Sequence, residues 1–78
     1  MTLEFSKPDI TFPQFPFINR WIEFKYLQVE TPSDLVRFIH LGLNEIETSD
    51  NPVRIEAYKK IIYPLYSINT GRAYESKV

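Results

Sequence analysis

Two helix starts, twenty residues apart and written in the same chemistry, constrain this chain more than any other feature. Thr31-Pro32-Ser33-Asp34 places a hydroxyl at a helix N-cap, a proline at the first helical position and an acid three residues after the cap. This imitates a capping box, with Asp in the Glu position and its charge at the positive end of the helix dipole. Asn51-Pro52 repeats the device. Apolar residues at helical spacing follow each start: Leu35, Phe38, Ile39, Gly42, Leu43 and Ile46 after the first, then Ile55, Tyr58, Ile61, Ile62 and Leu65 after the second. The polar link from Thr48 to Asn51 is short, so the two helices pack as antiparallel neighbours. We expect helices over about 32–47 and 52–63. The second ends or kinks at Pro64, because an internal proline removes a backbone donor and crowds the preceding turn, at about 3 kcal/mol.

The residues before the hairpin follow another pattern. Pro8, Pro13 and Pro16 exclude a regular helix from residues 1–20, and Phe5, Phe12, Phe15 and Phe17 alternate with them. The expectation is an extended arm, with a short edge strand from Thr2 to Phe5. From Trp21 to Val29, Ile22, Phe24 and Tyr26 alternate with Glu23 and Lys25 in aromatic and β-branched company, which reads as a strand. The expected fold class is therefore α+β: an extended Pro/Phe-rich N-terminal arm, one or two short strands with the main one at about 21–29, and an antiparallel αα-hairpin. A single domain takes up residues 1–78, with a frayed tail at 72–78. Gly42, inside the first helical stripe, marks a close approach of another element, since a mid-helix glycine costs up to ~1 kcal/mol against alanine.

A domain this short buries only a little over ~60% of the surface of its unfolded chain, so its margin is thin. The usual supplements are disulfides, a metal or a partner. There is no cysteine, and one histidine cannot make a four-ligand zinc site. The beginning of the sequence lacks a signal-peptide pattern, and no apolar run approaches ~18–20 residues. We expect a soluble, cytoplasmic protein with no membrane association.

Catalysis finds little purchase. His40 lies on the flank of a helical stripe, where a surface or half-buried role is the ordinary one. Glu45 and Glu47 are two apart on a helix and do not face each other. Asp34 is explained by its cap, and the only two glycines, Gly42 and Gly71, form no phosphate loop. We expect no catalytic residues, no metal, no cofactor and no small-molecule substrate.

The positive signal is aromatic. Twelve of 78 residues are Phe, Tyr or Trp, 15% of the chain. Such residues dominate interface cores. The leading expectation is a non-catalytic interaction module, such as an adaptor, inhibitor or accessory subunit, or a self-associating protein. It binds through the aromatic arm and the strand edge, with Phe12, Phe15, Phe17 and Trp21 as anchors and Tyr63 and Tyr66 beside the Pro64 break as further candidates. The alternative is a small nucleic-acid binder. Residues 1–50 carry eight acids and four bases, net −4, whereas residues 51–78 carry two acids and five bases, net +3. The basic, Tyr-rich second part offers Arg54, Lys59, Lys60 and Arg72 for phosphates.

Overall fold

The stretch read as a strand is a helix. The computed structural model describes residues 5, 7–13 and 17–72, and within them the elements are α1 (Ile18–Leu27), α2 (Pro32–Thr48) and α3 (Pro52–Thr70). There is no strand among the described residues, so the α+β expectation is corrected to an all-helical one. The expected edge strand at residues 2–5 falls largely outside the described residues, and Phe5 itself is irregular.

Packing explains the correction at α1. Ile22 and Tyr26, four apart, share one face of α1 and are buried, and Val29 is buried just past the helix end. Phe24, which an alternating strand would place beside Ile22 and Tyr26, points outward. A lone strand would also leave its backbone groups unpaired, whereas a helix satisfies them locally. Helix α1 closes with tightened bonds, Gln28 N donating to Lys25 O at 3.2 Å and Val29 N to Tyr26 O at 3.0 Å.

The other two helices start as their caps dictate. Thr31 Oγ1 accepts from Asp34 N at 3.1 Å, and Asp34 Oδ2 accepts from Glu30 N at 3.3 Å. The Glu30 N–H, followed by the Thr31 hydroxyl, holds the Asp34 carboxyl below its ordinary range. Asn51 Oδ1 accepts from Val53 N at 3.0 Å and Arg54 N at 3.4 Å.

Helix α3 does not end at Pro64. It runs on to Thr70, where Gly71, at φ 73°, makes a left-handed C-cap. The break expected at Tyr63 is outweighed by tertiary packing. Pro64 lies on the exposed side, while Leu65 behind it is fully buried and Tyr66 packs on the core. Burying a side chain such as Leu contributes about 1.5–3 kcal/mol, comparable to the ~3 kcal/mol that the proline forfeits.

Helix α3 is the centre of the molecule: α2 packs along it and α1 crosses it more sparsely. The core consists of Ile22 and Tyr26 from α1, Leu35, Phe38 and Ile39 from α2, and Ala57, Tyr58, Ile61, Ile62 and Leu65 from α3, with Val29 between the first two helices. Gly42 is the point of closest approach of the hairpin. A Cβ built there would overlap Ile62 Cγ1 and Cδ1 and stand 3.4 Å from Ile62 Cβ. The arm folds back on α1. Lys7 Nζ donates to Tyr26 O at 2.8 Å, the Tyr26 hydroxyl donates to Pro8 O, and Phe12 meets the Tyr26 ring edge-on at 5.7 Å.

Candidate interaction face on the first helix

Helix α1 is apolar on two sides. Ile22 and Tyr26 face the core, while Phe17, Trp21 and Phe24 recur at helical spacing on the opposite side. These three are 85%, 41% and 58% exposed, and Leu27 on the flank is 66% exposed. At about 100° per residue, Phe17, Trp21 and Phe24 fall within roughly 60° of one another around the axis. Phe17 stands where the helix begins. It has φ 66° and makes no side-chain cap, and its carbonyl accepts from Trp21 N at 3.0 Å. A bulky residue at positive φ is strained.

Trp21 is the hinge between this exposed stripe and the core. Its ring meets Tyr58 of α3 edge-on, with centroids 6.4 Å apart. Lys25 Nζ and Arg54 Cζ each lie 5.4 Å from the Trp21 centroid, within cation–π range. Arg54 also stands over Tyr58 at 5.9 Å. Its Nε lies 3.0 Å from Glu45 Oε2 of α2, although the N–H is not aimed along that contact. Lys25 of α1 and Arg54 and Tyr58 of α3 thus meet around Trp21, and Glu45 of α2 joins the cluster through Arg54. The Tyr58 hydroxyl is buried beneath them without a hydrogen-bond partner among the described residues. Burial, reinforced by the Glu45 charge, pushes its pKa up to about 12.

An open groove beside Trp21, about 370 Å³, is lined by Phe17, Ile18, Trp21 and Arg54. A separate, smaller hollow of about 170 Å³ lies between α1 and α2, lined by Lys25, Gln28 and Val29 on the first side and by Asp34, Arg37, Phe38 and Leu41 on the second. Among the described residues no three His, Cys, Asp or Glu side chains converge as a metal site would require. His40 is exposed on α2.

Of the anchors expected from the sequence, Phe17 and Trp21 stand together on this groove. Phe12 is instead half-buried against Tyr26, and Phe15 lies outside the described residues. Tyr63 and Tyr66 are half-buried on α3, Tyr66 against the core, and neither lines the groove. The basic set is dispersed. Arg54 is engaged with Glu45 and the Trp21–Tyr58 pair. Lys59 and Lys60 stand about 140° and 120° from it around α3. Arg72 is exposed beyond the Gly71 cap. Sequence reasoning missed Phe24, Leu27 and Lys25 as members of the face. The spacing 17, 21, 24 was the available signal, and a period of two obscured it.

Comparison with protein-family models, with curated proteins and with solved structures finds no match. Among the described residues no helix is long and apolar enough to cross a membrane.

Proposed function

We propose that this chain is a non-catalytic protein-interaction module that engages its partner through the outward face of α1. The observation that carries the reading is the stripe Phe17–Trp21–Phe24, exposed although its residue types favour burial. At ~150–250 Å² per aromatic side chain it presents roughly 400 Å² of apolar surface. Contiguous apolar patches of about 300–600 Å² on a monomer are often functional. The cluster beneath Trp21 fixes its orientation, as a binding anchor requires. The strand edge expected as a second contact drops out of the proposal, since α1 replaces it. A cysteine-free chain suits a reducing compartment, and we place the protein in the cytoplasm. Nucleic-acid binding is the weaker reading, because Arg54, Lys59 and Lys60 point in different directions and Arg54 already faces a carboxylate.

The test is affinity capture from nuclease-treated lysate, comparing the wild-type chain with a Phe17→Ser/Phe24→Ser double variant. Both side chains are outside the core, so the variant keeps the wild-type thermal melt to within about 0.5 kcal/mol. A captured protein that rebinds in purified form to wild type, and not to the variant, supports the reading. Equal capture by both chains refutes it.

A further inference from the structure

The outward face of α1 is complementary to itself. Its exposed residues Phe17, Arg20, Phe24 and Leu27 recur at intervals of three, four and three, the seam along which two helices pack. Trp21 and Glu23, both exposed, flank that seam on opposite sides. Among the described residues neither Arg20 nor Glu23 has an ion-pair partner. A second α1 laid antiparallel about a two-fold axis level with Ile22, midway along the stripe, brings Phe17 opposite Leu27 of the copy and Arg20 opposite Phe24, each contact made twice. Such a two-fold also joins like flanks, so the Arg20 of each copy lies over the Phe24 ring of the other, with the Glu23 carboxylate one residue beyond. A parallel pairing would instead set Arg20 against Arg20. The aromatic stripe and Leu27 supply roughly 500 Å² of apolar surface per copy, about 1,000 Å² for the pair before Arg20 and Glu23 are added. Specific interfaces begin at about 1,200 Å², so the area suits a weak, concentration-dependent dimer and not an obligate one.

We infer that α1 pairs antiparallel with α1 of a second copy of this chain. Phe17, Phe24 and Leu27 supply the apolar contact, and two symmetric Arg20–Glu23 pairs set its direction and register. The contact is closed: each copy uses the same face, so assembly stops at two. The inference rests on the proposed interaction module and names its partner as the chain itself.

The experiment is sedimentation of the full chain at concentrations from about 1 to 500 μM, a range that brackets a weak dimer. Wild type passes from monomer to dimer, and Phe17→Ser/Phe24→Ser stays monomeric. Arg20→Glu and Glu23→Arg each weaken association at least about tenfold, because each sets like charges against one another across the seam. Mixed in equal amounts, these two variants bind each other at least about tenfold tighter than either binds itself, since the mixture restores opposite charges at both contacts. All four side chains are exposed, so melts of the dilute variants stay within about 0.5 kcal/mol of wild type and misfolding is not the cause. The inference is overturned if wild type is monomeric throughout, or if either charge variant dimerises as wild type does. It is equally overturned if the mixture binds no tighter than its components, or if association grows beyond two. In the capture experiment, an untagged copy of the chain produced in the same cells is the retained protein. Should wild type stay monomeric yet capture a different protein that Phe17→Ser/Phe24→Ser loses, the second-copy inference falls and the interaction module stands. Should neither a copy nor any other protein depend on Phe17 and Phe24, the module itself falls.

Discussion

Gly42→Ala puts the packing of the hairpin to a test in which two known effects have opposite signs. In an exposed helix interior the substitution stabilises, because alanine recovers up to ~1 kcal/mol of helix propensity. At Gly42 the new methyl meets two atoms of Ile62, Cγ1 and Cδ1, at overlapping positions. Ile62 is fully buried, so its side chain cannot swing into solvent and the helices must separate or the core must shift. Overpacking of this kind costs about 1–3 kcal/mol, and contact with two atoms rather than one sets it at the upper end. The net expectation is a loss of about 2 kcal/mol. For a domain of this size that corresponds to a fall in Tm of roughly 8–16 °C. Urea and thermal unfolding followed by circular dichroism measure it. Ile62→Ala alone loses about 2–5 kcal/mol, through a cavity. In the Gly42→Ala/Ile62→Ala chain the added methyl occupies space that Ile62 vacates, leaving only its Cβ at 3.4 Å. The double variant is therefore more stable than the sum of the single losses implies, with a coupling of at least about 1 kcal/mol. A Gly42→Ala protein that melts higher than wild type would refute the close approach of α2 and α3.

Two further substitutions separate local from buried chemistry. Thr31→Ala removes the side-chain acceptor at the start of α2 and lowers stability by about 1 kcal/mol in urea denaturation, while Thr31→Ser leaves it nearly unchanged. Tyr58→Phe removes a buried hydroxyl with no partner among the described residues, so it raises stability at neutral pH by about 1 kcal/mol; a loss of similar size would mean that the hydroxyl is bonded. The same variant tests the Tyr58 pKa. The folded value of about 12 exceeds the ~10 of an unfolded tyrosine, so the unfolded chain gives up its proton first. Stability then falls as pH rises from about 10 toward 12, and Tyr58→Phe shallows that fall when urea midpoints are compared across the range.

What the sequence made legible was the chemistry that acts locally. Thr31 and Asn51 cap the helices they were expected to cap, because a side-chain acceptor within three residues of orphan N–H groups needs no tertiary context. Gly42 was readable for a related reason: only close packing justifies glycine in a helical stripe. The strand at 21–29 was misread because Ile22 and Tyr26 are four apart, a spacing that suits both an alternating strand and one helical turn. Phe24 decides between the two: two residues from Ile22, it would be buried beside Ile22 in a strand, whereas it is exposed. The expected end at Pro64 applied a local rule whose cost is offset by tertiary packing, the burial of Leu65 together with Tyr66 against the core. Errors of period also hid part of the candidate site. Phe17 and Trp21 were named as anchors, but Phe24 and Lys25 joined them only once the stretch became a helix.

That change also alters what must be explained about α1. Ten residues make a helix about 15 Å long, well short of the length at which isolated helices hold in water. It has no side-chain cap, and it begins at a strained Phe17. It is held by Ile22, Tyr26 and Val29 against the core and by the arm over Tyr26. Phe17 and Phe24 add nothing to that support, since both lie mostly in water. Polar residues at these two positions would serve the isolated fold at least as well. On the proposed interaction reading, their presence is accounted for by a surface that is buried only when the protein is bound. Because that surface lies on the most weakly anchored helix, a partner seated there also stabilises the docking of α1 by mass action. Recognition and folding of the N-terminal third are then one linked equilibrium, with Trp21, in contact with both Tyr58 and the groove, at their junction.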